Sequence, residues 1–201
     1  MIKNKIIVIT DEQAVPHEAE AIIALLEAGA FRVHIRKPQA SAEEVRTLLQ
    51  QIPQQYHLYL SIHDHFELTK EFTEIGIHIN SRNQNAPMFF EQCISASCHN
   101  ETDLLHNKPH CYYLFLSPCF DSVSKQGYKA AFSEEELLKL SYAATIDSKV
   151  FALGGINSET IKRANRIGFG GACVLGYLWE TYKRDNDING LVERLKRLQD
   201  A

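Results

Sequence analysis

The run Val150-Phe-Ala-Leu-Gly-Gly-Ile-Asn157, read with Gly170-Gly-Ala-Cys-Val-Leu-Gly-Tyr177, decides the fold. Each is a short apolar segment that ends in glycine and opens onto a helical pattern. A wholly apolar run marks a strand buried on both faces, as in a parallel sheet. Glycine after the strand lets backbone amides approach a ligand closely. The helix that follows adds its unpaired N–H groups and the positive end of its dipole. Two such turns in succession, late in the chain, are where a (β/α)8 barrel holds a phosphate, after strands 7 and 8. Gly154, Gly155 and Gly176 are therefore the first candidates for phosphate binding.

The same rhythm runs outward through the chain. Apolar or alternating runs at 5–10, 31–36, 57–62, 76–79, 93–96, 111–116, 149–153 and 170–175 read as strands. Helical spacing fills most gaps. It is clearest at 16–29 and 158–167, and after the capping boxes Ser41-Ala-Glu-Glu44 and Ser133-Glu-Glu-Glu136. Residues 80–92 hold few periodic positions, and 97–110 leave room for only a short helix. Residues 117–132 have neither period, and Gly127 is a possible hinge there if this loop closes over a substrate. The expectation is α/β: one domain over 1–201, a single (β/α)8 TIM barrel with shortened helices after strands 4 and 5.

Composition narrows the partners. Of 201 residues 45% are hydrophobic and 23% charged, the balance of an ordinary globular domain. A formal net charge of -4 gives no basic footprint for nucleic acid. No apolar run approaches the ~18 residues of a membrane span, and the apolar start is too short for a signal peptide. Five cysteines, an odd number without CxxC spacing, argue against a disulfide framework or a structural zinc site. A cytoplasmic protein with reduced thiols is expected.

In such a barrel the chemistry sits at the C-terminal ends of the strands. There the chain places Thr10 and Asp11; His34, Arg36 and Lys37; His63, Asp64 and His65; His78, Asn80 and Asn83; Ser97 and His99; then Ser122, Ser124 and Lys125; then the glycine turns. Cations, imidazoles and hydroxyls converging above glycine turns suit a small phosphate-bearing ligand. His63-Asp-His65 with His78 also raises a transition-metal site.

These segments, in order, resemble the thiamin-phosphate synthase family, which includes the TenI group of thiazole tautomerases. Ile9-Thr-Asp11, His34-Ile-Arg-Lys37, Ile62-His-Asp-His65, Gly76-Ile-His-Ile79, Ser95-Ala-Ser-Cys-His99, Pro118-Cys-Phe-Asp-Ser-Val-Ser-Lys125 and Ala152-Leu-Gly-Gly-Ile156 carry the likeness. The resemblance implies a barrel with a thiazole phosphate at the glycine turns, and commonly a homodimer. For a synthase it implies Asp64 as a Mg2+ ligand. Arg36 and Lys125 would then bind the pyrophosphate, with Ser122 and Ser124 assisting.

The departures from the family lie on the pyrophosphate side. Pro38 replaces a Lys, His63 an Asn, and Asn83 a second metal-binding Asp. Losing a carboxylate weakens a Mg2+ site, which leans on one or two carboxylates plus substrate phosphates. A thiazole tautomerase is therefore the first reading. In it His99, at the position that carries acid/base chemistry in the TenI group, moves a ring proton at a pKa near neutrality, and Ser97 and Lys125 complete the catalytic set. Arg36, Lys37, His63, Ser122, Ser124 and the three glycines bind substrate. The alternatives are a synthase that joins a pyrimidine pyrophosphate to thiazole phosphate with Mg2+, and a catalytically idle, ligand-binding regulatory barrel. Mg2+ is expected only if the synthase activity survives, and otherwise no cofactor.

Overall fold

Eight parallel strands close into a barrel in sequence order, the first pairing back to the last. This computed structural model describes residues 4–88, 90–121 and 129–201. The strands are β1 (Ile6–Ile9), β2 (Arg32–Ile35), β3 (Leu60–Ile62), β4 (Gly76–Ile79), β5 (Ile94–Cys98), β6 (Tyr113–Leu116), β7 (Val150–Leu153) and β8 (Gly171–Val174). Around them lie α1 (Glu18–Glu27), α2 (Ala42–Gln50), α3 (Glu101–Asn107), α4 (Glu134–Tyr142), α5 (Thr160–Ile167), α6 (Gly176–Asp185) and α7 (Ile188–Gln199). Both expected capping boxes form, at Ser41 and Ser133. No α-helix follows β4 among the described residues, α3 after β5 is short, and a 3-10 turn (Phe66–Lys70) stands in after β3. The start expected for strand 3 is likewise a 3-10 turn, Gln54–Tyr59. No described helix is long and apolar enough to cross a membrane.

The interior of the barrel is divided. Side chains alternate along a strand, so residues two apart share a face. On β6, β7, β8 and β1 the inward set is apolar: Tyr113, Phe115, Phe151, Cys173, Ile7 and Ile9 pack together. On β2 to β5 it is polar, with His34, Ser61, His63, His78 and Ser95 all buried. The outward set joins the larger core under the helices, including Val8, Val33, Leu60, Ile77, Leu114, Val150 and Ala172. A buried polar half demands internal hydrogen bonds, and that demand shapes the candidate site.

Candidate active site

The β7 and β8 turns lie side by side, because the strand ends that lead into them are paired, Leu153 with Cys173. Gly154 and Gly155 have φ of +101° and +64°, a region where L side chains are strained. Gly155 also has no room for a Cβ, which would meet the Asp121 and Phe120 carbonyl oxygens at 2.4 and 2.6 Å. Gly176 opens α6, whose first amides have no acceptor within the helix. The Ser158 and Tyr177 hydroxyls, 3.0 Å apart, link the two turns. All three glycines line one cavity of about 990 Å3 at the C-terminal end of the barrel.

Arg36, His63, Asn80, Arg82, Ser97 and His99 line the same cavity. His99, exposed, donates Nδ1–H to the Ser117 carbonyl at 3.0 Å. In the neutral ring this puts the proton on Nδ1 and the lone pair on Nε2. Ser97 is 2.8 Å from His78 Nε2, and His78 Nδ1 is 2.9 Å from Ser95 Oγ. Ser95 spends its proton on the Ile77 carbonyl, so it accepts from His78 Nδ1–H. His78 Nε2 must then accept from Ser97, which turns the Ser97 oxygen lone pairs outward.

His34, His63 and His78 are buried inside the barrel beneath the cavity, rather than at open strand ends. Tyr113 lies 2.7 Å from His34 Nε2, and His34 Nδ1 2.9 Å from His63 Nε2. Burial drives all three basicities down, to about 3 for His78 and well below the ordinary value for the other two. They are neutral in the folded protein at pH 7. The expected metal grouping of His63, His65 and His78 does not form: His65 Nε2 bonds the Ala40 carbonyl at 2.8 Å. His34 takes its place, the ligating nitrogens of the trio lying within 4.8 Å of one another. His63 and His78 stack at 4.2 Å and 23°, an arrangement that keeps their in-plane lone pairs from converging on a shared ion.

A stability prediction follows from these three imidazoles. Their folded pKa is depressed, so the unfolded chain binds more protons below its ordinary pKa of about 6.5, and stability falls with falling pH. Three neutral imidazoles should cost about 2 kcal/mol between pH 7.5 and pH 6.0. Urea unfolding at the two pH values measures it, and equal stabilities would refute the burial of neutral histidines.

Two candidate residues stand elsewhere. Lys37 is not among the residues that line the cavity: buried, it gives Nζ to Glu18 at 2.6 Å and to the Asp11 and Gln13 carbonyls at 2.9 and 2.7 Å. A buried cation must be paired, and this one is consumed in tying β2 to α1. Asp64, the expected metal ligand, is clamped by Arg82 and Asn83. Thr10 and Asp11 are structural too, Thr10 accepting from the Arg36 amide and Asp11 pairing with Lys183. Ser122, Ser124, Lys125 and Gly127 lie outside the described residues. Arg82 was missed from the sequence; a cation next to Asn83, where the resemblance puts a carboxylate, was the available signal.

Residues 6–178 match the family described as thiamine monophosphate synthase. The chain belongs to this family. A solved structure described as thiamine phosphate pyrophosphorylase from Bacteroides thetaiotaomicron is 37% identical, with a TM-score of 0.86 over 96% of this chain and 95% of that one. Thiamine-phosphate synthase of Pyrococcus abyssi is 24% identical over 98% of this chain and 95% of its own. That of Lactococcus lactis is 22% identical over 76% and 73%. All three names are those of the synthase, which favours it over the tautomerase expected first. The family is an enzyme family of thiamine biosynthesis whose members generally depend on Mg2+.

Proposed function

We propose that this chain is a thiamine-phosphate synthase, joining a pyrimidine pyrophosphate to a thiazole phosphate. The observation that carries this reading is one continuous cavity bordered by the glycine turns on one side and by arginines on the other. The β7–β8 glycine turns stand across the barrel from Arg36, His63 and Arg82 on the β2–β4 side. Its volume lies at the upper end of the ~300–1,000 Å3 that small-molecule sites span, room for two substrates together.

The reaction breaks the bond from the pyrimidine methylene carbon to the pyrophosphate oxygen, whose electron pair leaves with pyrophosphate. The thiazole ring nitrogen supplies the pair for the new C–N bond. The chain's part is to hold both reactants in contact and to place positive charge at the leaving group. The glycine-turn amides bind the thiazole phosphate, and Arg36 faces the departing anion. Ser97, an acceptor toward the cavity, suits an N–H or O–H donor on the substrate. A homodimer and a cytoplasmic location belong to the same proposal.

The second reading, the tautomerase, is favoured by one feature: His99 lines the cavity with Nδ1–H tied to the Ser117 carbonyl, so its neutral ring carries the lone pair on Nε2. Assaying both activities on one preparation separates the two readings. Thiamine phosphate formed at an enzymatic rate supports the first. Aromatisation of the thiazole tautomer alone, lost in His99→Ala, replaces it with the second.

A further inference from the structure

Asp64 is the single carboxylate that this chain keeps where the resemblance puts a metal pair, and its oxygens are already taken. Arg82 donates Nε–H to Oδ1 at 3.0 Å and Nη2–H to Oδ2 at 3.2 Å. Asn83 donates Nδ2–H to Oδ1 at 3.0 Å and to the His63 carbonyl at 2.9 Å. Both of these partners are acceptors, so the Asn83 amide cannot be reversed to offer oxygen. A hard divalent cation takes oxygen ligands; here it would meet N–H groups and a guanidinium. The donor set does not fit Mg2+.

The clamp is built by its turn. Asn80 Oδ1 accepts from the backbone amides of Arg82 and Asn83 at 3.0 and 3.3 Å. Asn80 Nδ2 donates to the His63 and His78 carbonyls at 2.9 and 3.0 Å. The Asn80 and Asn83 backbones bond each other in both directions. These contacts anchor the start of the Arg82 side chain beside the loop that carries Asp64.

We infer that Arg82 stands in for the divalent cation, and that this end of the cavity binds a phosphate-type anion on guanidinium donors without metal. A guanidinium carries five N–H donors in a planar fork. Asp64 takes two, and three remain, including both on Nη1. Arg82 is 39% exposed and lines the cavity, so those donors can reach a second anion, as bidentate arginine does with phosphate. Arg36 lines the same cavity, and both arginines oppose protonation of His63 and His78. Arg36 Nη1 is itself paired with Glu12 at 2.5 Å, so Arg82 is the guanidinium with the larger share of donors left for an anion at this end. That the anion is a leaving pyrophosphate rests on the synthase reading; the metal-free clamp does not.

Pyrophosphate titrated calorimetrically into the full chain, once in chelator and once in excess Mg2+, tests this, with Mn2+ titrated alone and followed by its electron-spin resonance. The expected results are pyrophosphate affinities within twofold of each other, no tightly held Mn2+, and at least tenfold weaker pyrophosphate binding in Arg82→Gln in both buffers. Pyrophosphate binding that requires Mg2+, no pyrophosphate binding in either buffer, or stoichiometric Mn2+ abolished by Asp64→Asn would overturn the inference. The Mn2+ titration needs no variant, so misfolding of Arg82→Gln would not rescue the idea. If these binding results hold while no thiamine phosphate forms, the synthase reading fails and the clamp stands.

Discussion

Gly155→Ala is expected to weaken thiazole phosphate binding at least ~100-fold, which corresponds to about 2.8 kcal/mol. Two costs combine. An L residue held in the left-handed region costs about 1–2 kcal/mol, and Gly155 sits at φ +64°. The added Cβ would also stand 2.4 Å from the Asp121 carbonyl oxygen and 2.6 Å from that of Phe120. Those are backbone atoms, so the turn or the loop must move rather than a side chain swing aside. Moving the turn re-aims the amides that meet the phosphate. Gly154→Ala should be milder, since its Cβ would contact Pro118 at 3.1 Å. Calorimetry with thiazole phosphate reads both variants. A Gly155→Ala protein that binds within threefold of the parent would show that these amides do not hold the phosphate.

Trp179→Ala is expected to destabilise the fold by about 3–5 kcal/mol, the range for removing a buried large aromatic. Trp179 is fully buried on α6, the helix that Gly176 opens. Its Nε1–H donates to the Ile9 carbonyl, at the end of β1, at 2.8 Å. Its ring meets Tyr182 edge-on at 5.6 Å, and Tyr182 donates to the Pro16 carbonyl at 2.8 Å. These contacts pin α6 across the β8–β1 seam, so the loss reaches the phosphate turn as well as the core. Trp179→Phe keeps most of the packing and should lose only about 1–2 kcal/mol for the orphaned carbonyl and reduced volume. Urea unfolding of the two variants separates packing from hydrogen bonding; an alanine variant as stable as the parent would contradict the pinning role.

The barrel was legible because strands buried on both faces write apolar runs. The glycine turns were legible because both glycines of the β7 turn adopt positive φ beside a neighbouring loop. Other features depended on direction. Lys37 and Arg36 are adjacent in sequence, but successive residues of an extended segment point to opposite sides. Arg36 therefore reaches the cavity while Lys37 turns back to Glu18. His34 and His78 read as strand-end groups, yet they sit a step lower and face inward, where each needs a partner from another strand. Tyr113 and Ser95 supply those partners from β6 and β5. No local pattern announces a hydrogen bond between residues 79 positions apart. Asp64 was read as a metal ligand from the resemblance, and the guanidinium that occupies it arrives from the loop after β4.

The most direct measurement is product formation from hydroxymethylpyrimidine pyrophosphate and thiazole phosphate with the purified protein, followed as thiamine phosphate. Thiamine phosphate should form at an enzymatic rate, and that rate should be lost in Gly155→Ala. Absence of thiamine phosphate from a folded preparation that still binds thiazole phosphate would contradict it.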